Sequence, residues 1–403
     1  MKRKILILGG NIYQKELIIK ARQYGFFVIS LDNRPDNQGH LHSDKYYNIS
    51  TVDHDKVLQI AKAENINAII SAASDVALST IGYVNDNLNL SGINYSQADI
   101  FTDKLKFRNH LKFTELAPIS FKEVSSADDI INALYKFKKT LLIKPVKSSG
   151  SKGVKVIDFN DTIDKDKLDL LLQEAKNYSI NNRVLVEEFF HGKNYSAEGY
   201  LVNGKIQNIT FSEKLTTEHP AKVPIQHIVP AQINKKTYNK ICCFIETLFL
   251  SVSLCDSVFN LDVIINSVDF NIIEISPRTG GNCIPDIIKY HSGTDMLEIA
   301  LNMALGNKIP AQKNSGFNFV GVRLLRSGIS GELNNVSSNN HIVSKLKDFE
   351  LETMIDYNPG DKIDAFTNGS HRIGHIILKS NGIEHLRDLL NEADNYFQWE
   401  INV

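Results

Sequence analysis

The chain has 403 residues, with 45 lysines and arginines against 46 acids and a net charge of −1. That balance excludes a strongly basic nucleic-acid binder and a bulk acidic tail, but it leaves room for a local basic pocket. The charged fraction of 23% and the hydrophobic fraction of 42% are ordinary for a globular enzyme, and the length predicts two to three domains.

After Met1-Lys2-Arg3-Lys4, the apolar run Ile5 to Leu8 is too short for a signal-peptide core, and Gly9-Gly10 ends it. No run of about 18 apolar residues follows, so no membrane-spanning helix is expected. Cys242, Cys243, Cys255 and Cys283 lack CxxC spacing and read as free thiols of a reducing cytoplasm.

The first ninety-odd residues carry a βαβ rhythm. Ile5–Leu8 is a buried strand, Gly9-Gly10-Asn11 a turn, and Gln14–Tyr24 a helix. Phe26–Leu31 is the next strand and ends in Asp32. Asp53–Glu64 reads as a helix, Ala68–Ser71 as a strand and Asp75–Asn87 as a helix. The pattern predicts a parallel sheet with helices on both faces. Asp32 stands where a dinucleotide fold holds a ribose. However, Gly9-Gly10-Asn11-Ile12-Tyr13-Gln14 lacks the helix-packing glycine of G-x-G-x-x-G, which favours a plain turn and a polar strand end over NAD binding.

A linker helix is expected from about Gly92 to Lys112. Strands Leu141–Lys144 and Gly153–Ile157 then flank a basic glycine-serine turn. Val184–Glu188 is a strand, and Glu198–Val202 with Lys205–Thr210 forms a hairpin around Asn203-Gly204. Thr216 to Pro230 reads as a loop, Lys236–Leu250 as a helix, and Ser257–Ile265 with Phe270–Ser276 as two strands.

Three constellations carry chemistry. Lys144-Pro145-Val146-Lys147-Ser148-Ser149-Gly150-Ser151-Lys152-Gly153 is a small cationic loop. Its backbone N–H groups can approach an anion, although an ordinary basic hairpin turn fits equally well. It is not a P-loop, because no G-x-x-x-x-G-K-[ST] occurs. Val184-Leu185-Val186-Glu187-Glu188-Phe189-Phe190 ends an apolar strand in acids and aromatics. This suits a hinge that reads a base edge, or an exposed acidic strand end. Asp262 and the run Ile273-Glu274-Ile275-Ser276-Pro277-Arg278 lie on paired strands. Two carboxylates on one face can hold Mg²⁺ together with phosphates, and Arg278 can fork onto the same phosphates. A Glu274–Arg278 salt bridge is the plain alternative, disfavoured because an acid inside an apolar run needs a partner.

In order and spacing these constellations resemble the ATP-grasp superfamily, over nearly the whole chain. The resemblance implies an α/β (α+β) fold: an N-terminal Rossmann-like parallel-sheet domain over residues 1–95 and a linker helix over 96–112. A lid subdomain over 113–190, a catalytic subdomain over 191–312 and a C-terminal α+β subdomain over 313–403 would follow. It implies ATP and Mg²⁺ (or Mn²⁺) as cofactors. Lys104, Lys144, Ser148, Ser149, Gly150, Ser151, Gly153, Glu187, Glu188, Phe189 and Asn194 would hold the nucleotide. Asp262, Glu274 and Ser276 would hold the metal, and Arg278 and Lys144 would support the transferred phosphoryl group. Leu31-Asp32 and Asp75 look like the family's preceding domain, and Arg108 follows its first nucleotide lysine.

Lys214-Leu215-Thr216-Thr217, His219-Pro220 and His227-Ile228-Val229-Pro230 are similar to the substrate loop of the amino-acid ligase branch. Asn358-Pro359-Gly360-Asp361 and Arg372-Ile373-Gly374-His375 are similar to its C-terminal subdomain. His227 and His219 are candidates for substrate contact or proton removal, or are simply solvated. Arg323 and Arg326 are candidates for a substrate carboxylate or for surface pairing. Cys283 reads as packing. Three positions depart from the family's pattern. Asn194 stands in place of a ribose-holding acid, for which Glu198 is a substitute. Ser276 stands in place of an amide ligand, and Asp262 is a shorter first metal acid.

The implied activity is carboxylate activation as an acyl phosphate, followed by amine attack. The implied partners are small-molecule substrates and a second copy of the chain in a homodimer. Ligases of the phosphoribosylglycinamide-synthetase or biotin-carboxylase type share this chemistry. A catalytically lapsed ATP-binding regulator and a Rossmann oxidoreductase are the readings from other classes.

Overall fold

The computed structural model describes residues 2–116, 119–148, 153–159, 164–217, 223–312 and 316–402. The N-terminal unit runs β1 (Lys4–Leu8), α1 (Ile12–Gln23), β2 (Phe27–Asp32), β3 (Lys45–Asn48), α2 (His54–Glu64), β4 (Ala68–Ile70) and α3 (Leu78–Leu88). Its strands pair in parallel in the order β3-β2-β1-β4. Ile5, Leu6, Ile7 and Leu8 are all buried, as expected of a parallel strand covered on both faces. β3 has no counterpart in the sequence reading, because its residues Lys45, Tyr46, Tyr47 and Asn48 are mostly exposed and show no apolar pattern.

The expected linker helix is two helices, α4 (Tyr95–Thr102) and α5 (Lys104–Phe113). Asp103 separates them, and its carboxylate caps α5 by accepting from the backbone N–H groups of Leu105 and Lys106. Phe101 of α4 packs on Phe249, and Phe249 on Phe259, with ring centres 5.4 and 5.8 Å apart. The linker is thereby fixed to the main core.

The next unit consists of β5 (Phe121–Val124), α6 (Ala127–Phe137), β6 (Leu141–Pro145), β7 (Lys155–Ile157), α7 (Lys165–Asn177) and β8 (Val184–Glu188). Its antiparallel sheet has the order β5-β8-β6-β7. The largest unit begins with β9 (Lys193–Val202), β10 (Lys205–Thr216), β11 (Pro224–Val229), α8 (Lys235–Ser251), β12 (Ser257–Ile265) and β13 (Phe270–Ser276). Part of the expected loop from Thr216 to Pro230 is therefore a strand. α9 (Ile284–Ser292), α10 (Met296–Ala304), β14 (Phe319–Leu325), β15 (Gly331–Ser338), α11 (Asn340–Leu346), β16 (Glu350–Ile355), β17 (Lys362–Ile363), β18 (Gly374–Ser380), α12 (Ile383–Glu392) and β19 (Phe397–Asn402) complete the chain. The eight-stranded sheet has the order β13-β12-β9-β10-β11-β14-β18-β16, so it continues through residues on both sides of position 313. No helix among the described residues is long and apolar enough to cross a membrane.

A buried ionic triad joins these units. Glu187 on β8 accepts from Arg108 Nε at 2.6 Å and pairs with Lys144 Nζ at 2.6 Å. Arg108 on α5 also donates to the carbonyl of Ile272 on β13 at 2.9 Å. Burial alone would raise the Glu187 carboxyl, but the two cations outweigh it and hold the group at about 2. Burial lowers Lys144 to about 8, partly opposed by Glu187. Removing one member of such a cluster leaves unpaired charge in the interior. Glu187→Gln is therefore expected to cost about 3–5 kcal/mol in urea denaturation, and a loss under about 1 kcal/mol, typical of a surface pair, would contradict the triad's role.

Candidate active site

The site forms where β12 and β13 meet the N-terminal unit and α5. Asp262 and Glu274 are direct cross-strand partners, so both carboxylates leave the sheet on one face. Asp262 accepts from Ser196 at 2.6 Å and from Lys214 at 2.9 Å, both on the same oxygen. Burial raises its carboxyl, but Lys214 and Ser196 prevail and hold it below the ordinary range. Glu274 has no hydrogen-bond or ion-pair partner among the described residues. Burial, then the nearby Asp75 charge, raises its carboxyl.

Arg278 does not pair with Glu274. Its guanidinium forks onto Asp75, with Nε and Nη2 donating at 2.9 and 2.8 Å. The nearby Ser276 hydroxyl also favours the charged Asp75 carboxylate. Burial pushes Asp75 up, yet Arg278 and Ser276 keep it below its usual value. Asp75 follows β4, so this fork ties the N-terminal unit to the large sheet. Lys104, the first residue of α5, donates to the carbonyl of Ser148 at 2.9 Å. Its charge acts on both Asp75 and Glu274. Lys104, Asp75, Arg278, Glu274 and Asp262 thus converge electrostatically.

The turn after Arg278 is held from beneath. Glu198 on β9 is fully buried, and one of its oxygens accepts the Gly280 N–H at 2.9 Å. Its other oxygen has no partner among the described residues. A Cβ on Gly280 would lie 2.6 Å from the Glu198 carboxylate, so the turn requires glycine there. Asn282 and Cys283 follow with φ of 54° and 60°, left-handed values that are costly for cysteine. Glu198 is therefore a support for this turn, and the expectation that it substitutes as a ribose acid is corrected.

Other sequence candidates fall as follows. Ser149, Gly150, Ser151, Lys152, His219 and Pro220 lie outside the described residues. Gly153 packs against Tyr178 and Pro145 with a φ of +70°. The Glu187 side chain belongs to the buried triad, which leaves only backbone groups at this position for the expected hinge. Glu188 pairs with Lys139, and its N–H and that of Phe189 donate to the carbonyls of Ser120 and Thr140. Asn194 is exposed at the start of β9. His227 is 1% exposed, and its Nδ1 lies 3.1 Å from the Ser212 hydroxyl. Burial and the neighbouring Lys214 lower it to about 3, so it stays neutral and is a poor proton acceptor. Arg323 and Arg326 are spent on Asp394, and Arg323 also on Gln226. Cys283 lies 2.8 Å from Arg372 Nη1. Asp32 accepts the Gly10 N–H at 3.0 Å, and Gln14, where a dinucleotide motif needs glycine, bonds the Ala72 carbonyl. That turn is closed on itself. The roles of Ser196 and Asp75 carried no local signal, since their partners lie 66 and 203 positions away.

Comparison with known proteins bears on the fold that carries this geometry. Residues 137–286 match the model of the ATP-grasp domain. The whole fold is similar to phosphoribosylglycinamide synthetase from Anaerococcus prevotii, with a TM-score of 0.80, 20% identity and full coverage of both chains. It is also similar to L-amino acid ligase from Bacillus licheniformis, with a TM-score of 0.79 and 17% identity over 100% of this chain and 99% of that one. In sequence it is 22% identical to the L-arginine-specific L-amino acid ligase of Bacillus subtilis, over 85% of this chain and 83% of that protein. Against other curated relatives the match is shorter, spanning 48% of the formate-dependent phosphoribosylglycinamide formyltransferase of Methanocaldococcus jannaschii.

Glu198 gives the site a pH dependence. Its carboxyl is raised from 4.5 to about 8, chiefly by burial. The folded state then binds the proton more tightly than the unfolded state, so this group's contribution to stability declines as pH rises from about 4.5 to about 8. Glu198→Gln keeps an acceptor for Gly280 without the titration. Thermal melts should show the wild type losing stability across that window relative to Glu198→Gln, and parallel curves would contradict the assignment.

Proposed function

We propose that the protein is an ATP-dependent carboxylate–amine ligase. The observation that carries this reading is the convergence of Lys104, the Asp75–Arg278 fork, and the opposed Asp262 and Glu274 on an ATP-grasp fold. In the first step an oxygen of the substrate carboxylate attacks the γ-phosphorus of ATP. The bond from that phosphorus to the β–γ bridging oxygen breaks, and ADP leaves with the electron pair. An amine nitrogen then attacks the acyl carbon, the carbon–oxygen bond to phosphate breaks, and an amide and phosphate result. The depressed basicity of His227 removes it from the role of general base. The departing phosphate or solvent takes the amine's proton.

The first barrier is the approach of one anion to another. Lys104, Lys144 and Arg278 offset it by fixed positive charge, and positioning supplies much of the rest. Asp262 and Glu274 would hold Mg²⁺ together with nucleotide phosphates, since this ion takes one or two carboxylates. The partnerless Glu274 fits such a role. When bound, the ion adds positive charge at the phosphoryl oxygens. Among the described residues no group of three His, Cys, Asp or Glu side chains gathers, so the site rests on two carboxylates. The equal likeness to a phosphoribosylglycinamide synthetase supports a second reading with the same chemistry and a different acid.

The test is ADP release from Mg·ATP across a library of carboxylic acids, with hydroxylamine present to trap acyl phosphate. Acid-dependent ADP release with a matching hydroxamate is the expected result. ATP binding without release under any acid would overturn the ligase reading. Glu274→Gln should slow release by about 100-fold with nucleotide still bound, and wild-type turnover would remove Glu274 from the site. Lys144→Ala should weaken ATP binding about tenfold, on the order of 1.4 kcal/mol, and unchanged affinity would contradict its placement.

A further inference from the structure

A cavity of about 220 Å³ lies beside the outer edge of β13, between α3, α4 and α5. Three of its lining residues, Asp75, Lys104 and Glu274, belong to the candidate site. Most of the remaining wall is apolar, with Val76, Phe101, Phe107, Ile273 and Ile275 prominent. Val52 and His54 follow β3, and Asp75, Val76 and Ser79 follow β4. The cavity therefore opens at the carboxyl ends of two parallel strands, where open α/β sheets bind their ligands. The rings of His54 and Tyr95 meet edge-on at 5.8 Å, and Tyr95 is 42% exposed.

The wall holds two lysines, Lys104 and Lys147. Asp75 is forked by Arg278, Lys104 donates to the Ser148 carbonyl, and Lys147 lies 3.6 Å from Asp99. With Lys104 assigned to the nucleotide phosphates, Lys147 beside Asp99 is the wall's other lysine, whereas an apolar side chain needs only the wall. The volume is also below the roughly 300–1,000 Å³ of pockets for drug-sized ligands.

We propose that this cavity receives the side chain of the acid that is activated, and that the acid carries a compact aliphatic or aromatic body and no phosphoribosyl group. The proposal rests on the ligase reading for the word "activated". The ligand class rests on the cavity alone. Placing the side chain here sets the substrate's carboxyl end beside Lys104 and Glu274, where the phosphoryl group would be transferred.

The experiment measures binding by calorimetry, with a non-hydrolysable ATP analogue present. The probes are L-leucine, L-methionine, L-phenylalanine, their des-amino analogues 4-methylpentanoate, 4-(methylthio)butanoate and 3-phenylpropanoate, and ribose 5-phosphate. Two variants narrow the cavity without touching a site residue: Val76→Trp at its mouth, where Val76 is 42% exposed, and Ser79→Leu inside. Circular dichroism melts select the variants that fold as the wild type does. The expected result is that at least one apolar acid binds the wild type. A folded variant then weakens it by about tenfold, on the order of 1.4 kcal/mol, with analogue affinity within about twofold. Failure of every apolar acid to bind would overturn the proposal. So would an unchanged affinity in both variants, preferential binding of ribose 5-phosphate, or an equal loss of nucleotide affinity, which would assign the cavity to ATP. ADP release with the acid that binds is then read separately. Binding without release contradicts the ligase reading and leaves the ligand class intact.

Discussion

The architecture turns on one buried cluster, Arg108–Glu187–Lys144. Desolvating three charges costs several kcal/mol per ion, and only mutual pairing makes it tolerable. The fork of Arg108 onto Glu187, with its further bond to the Ile272 carbonyl, meets that condition. Because the three residues come from α5, β6 and β8, and the carbonyl from β13, their pairing fixes the small sheet against the large one. Lys144 is thus positioned by the same interaction that positions its strand, and burial lowers its pKa toward neutrality.

A second ionic contact does for the N-terminal unit what the triad does for the four-stranded antiparallel sheet. The Asp75–Arg278 fork spans 203 positions and joins the loop after β4 to the turn after β13. Tyr13 reinforces it by donating to Asn282 at 2.8 Å. The turn itself is strained at Asn282 and Cys283 and supported by Glu198 below Gly280. Strain held by surrounding contacts is common where a side chain must be aimed. Here the turn follows Arg278, whose guanidinium is held by Asp75.

Much of this was visible in the chain itself. Ser257–Ile265 and Phe270–Ser276 were read to the residue because each is an apolar run bounded by turn residues. The opposed Asp262 and Glu274 followed from a hairpin register that short turns fix. β3 and β11 escaped, one because it is polar and exposed, the other because Pro224, Gln226 and His227 break its apolar pattern. The side-chain roles were harder to see. The Glu187 side chain lies inside a triad, a role its place on the expected hinge did not signal, and Glu198 looked like a ribose acid but lies under a glycine turn. Both are decided by which face of a strand meets the interior and by partners distant in sequence. Local spacing carries neither fact.

We propose that nucleotide and metal meet between Lys104, Lys144 and the two opposed carboxylates. A crystal structure of the protein with Mn²⁺ and a non-hydrolysable ATP analogue tests this most directly. The account predicts the triphosphate beside Lys104 and Lys144, with anomalous density for the metal at Asp262 and Glu274. A nucleotide bound elsewhere, or metal density away from both carboxylates, would contradict it.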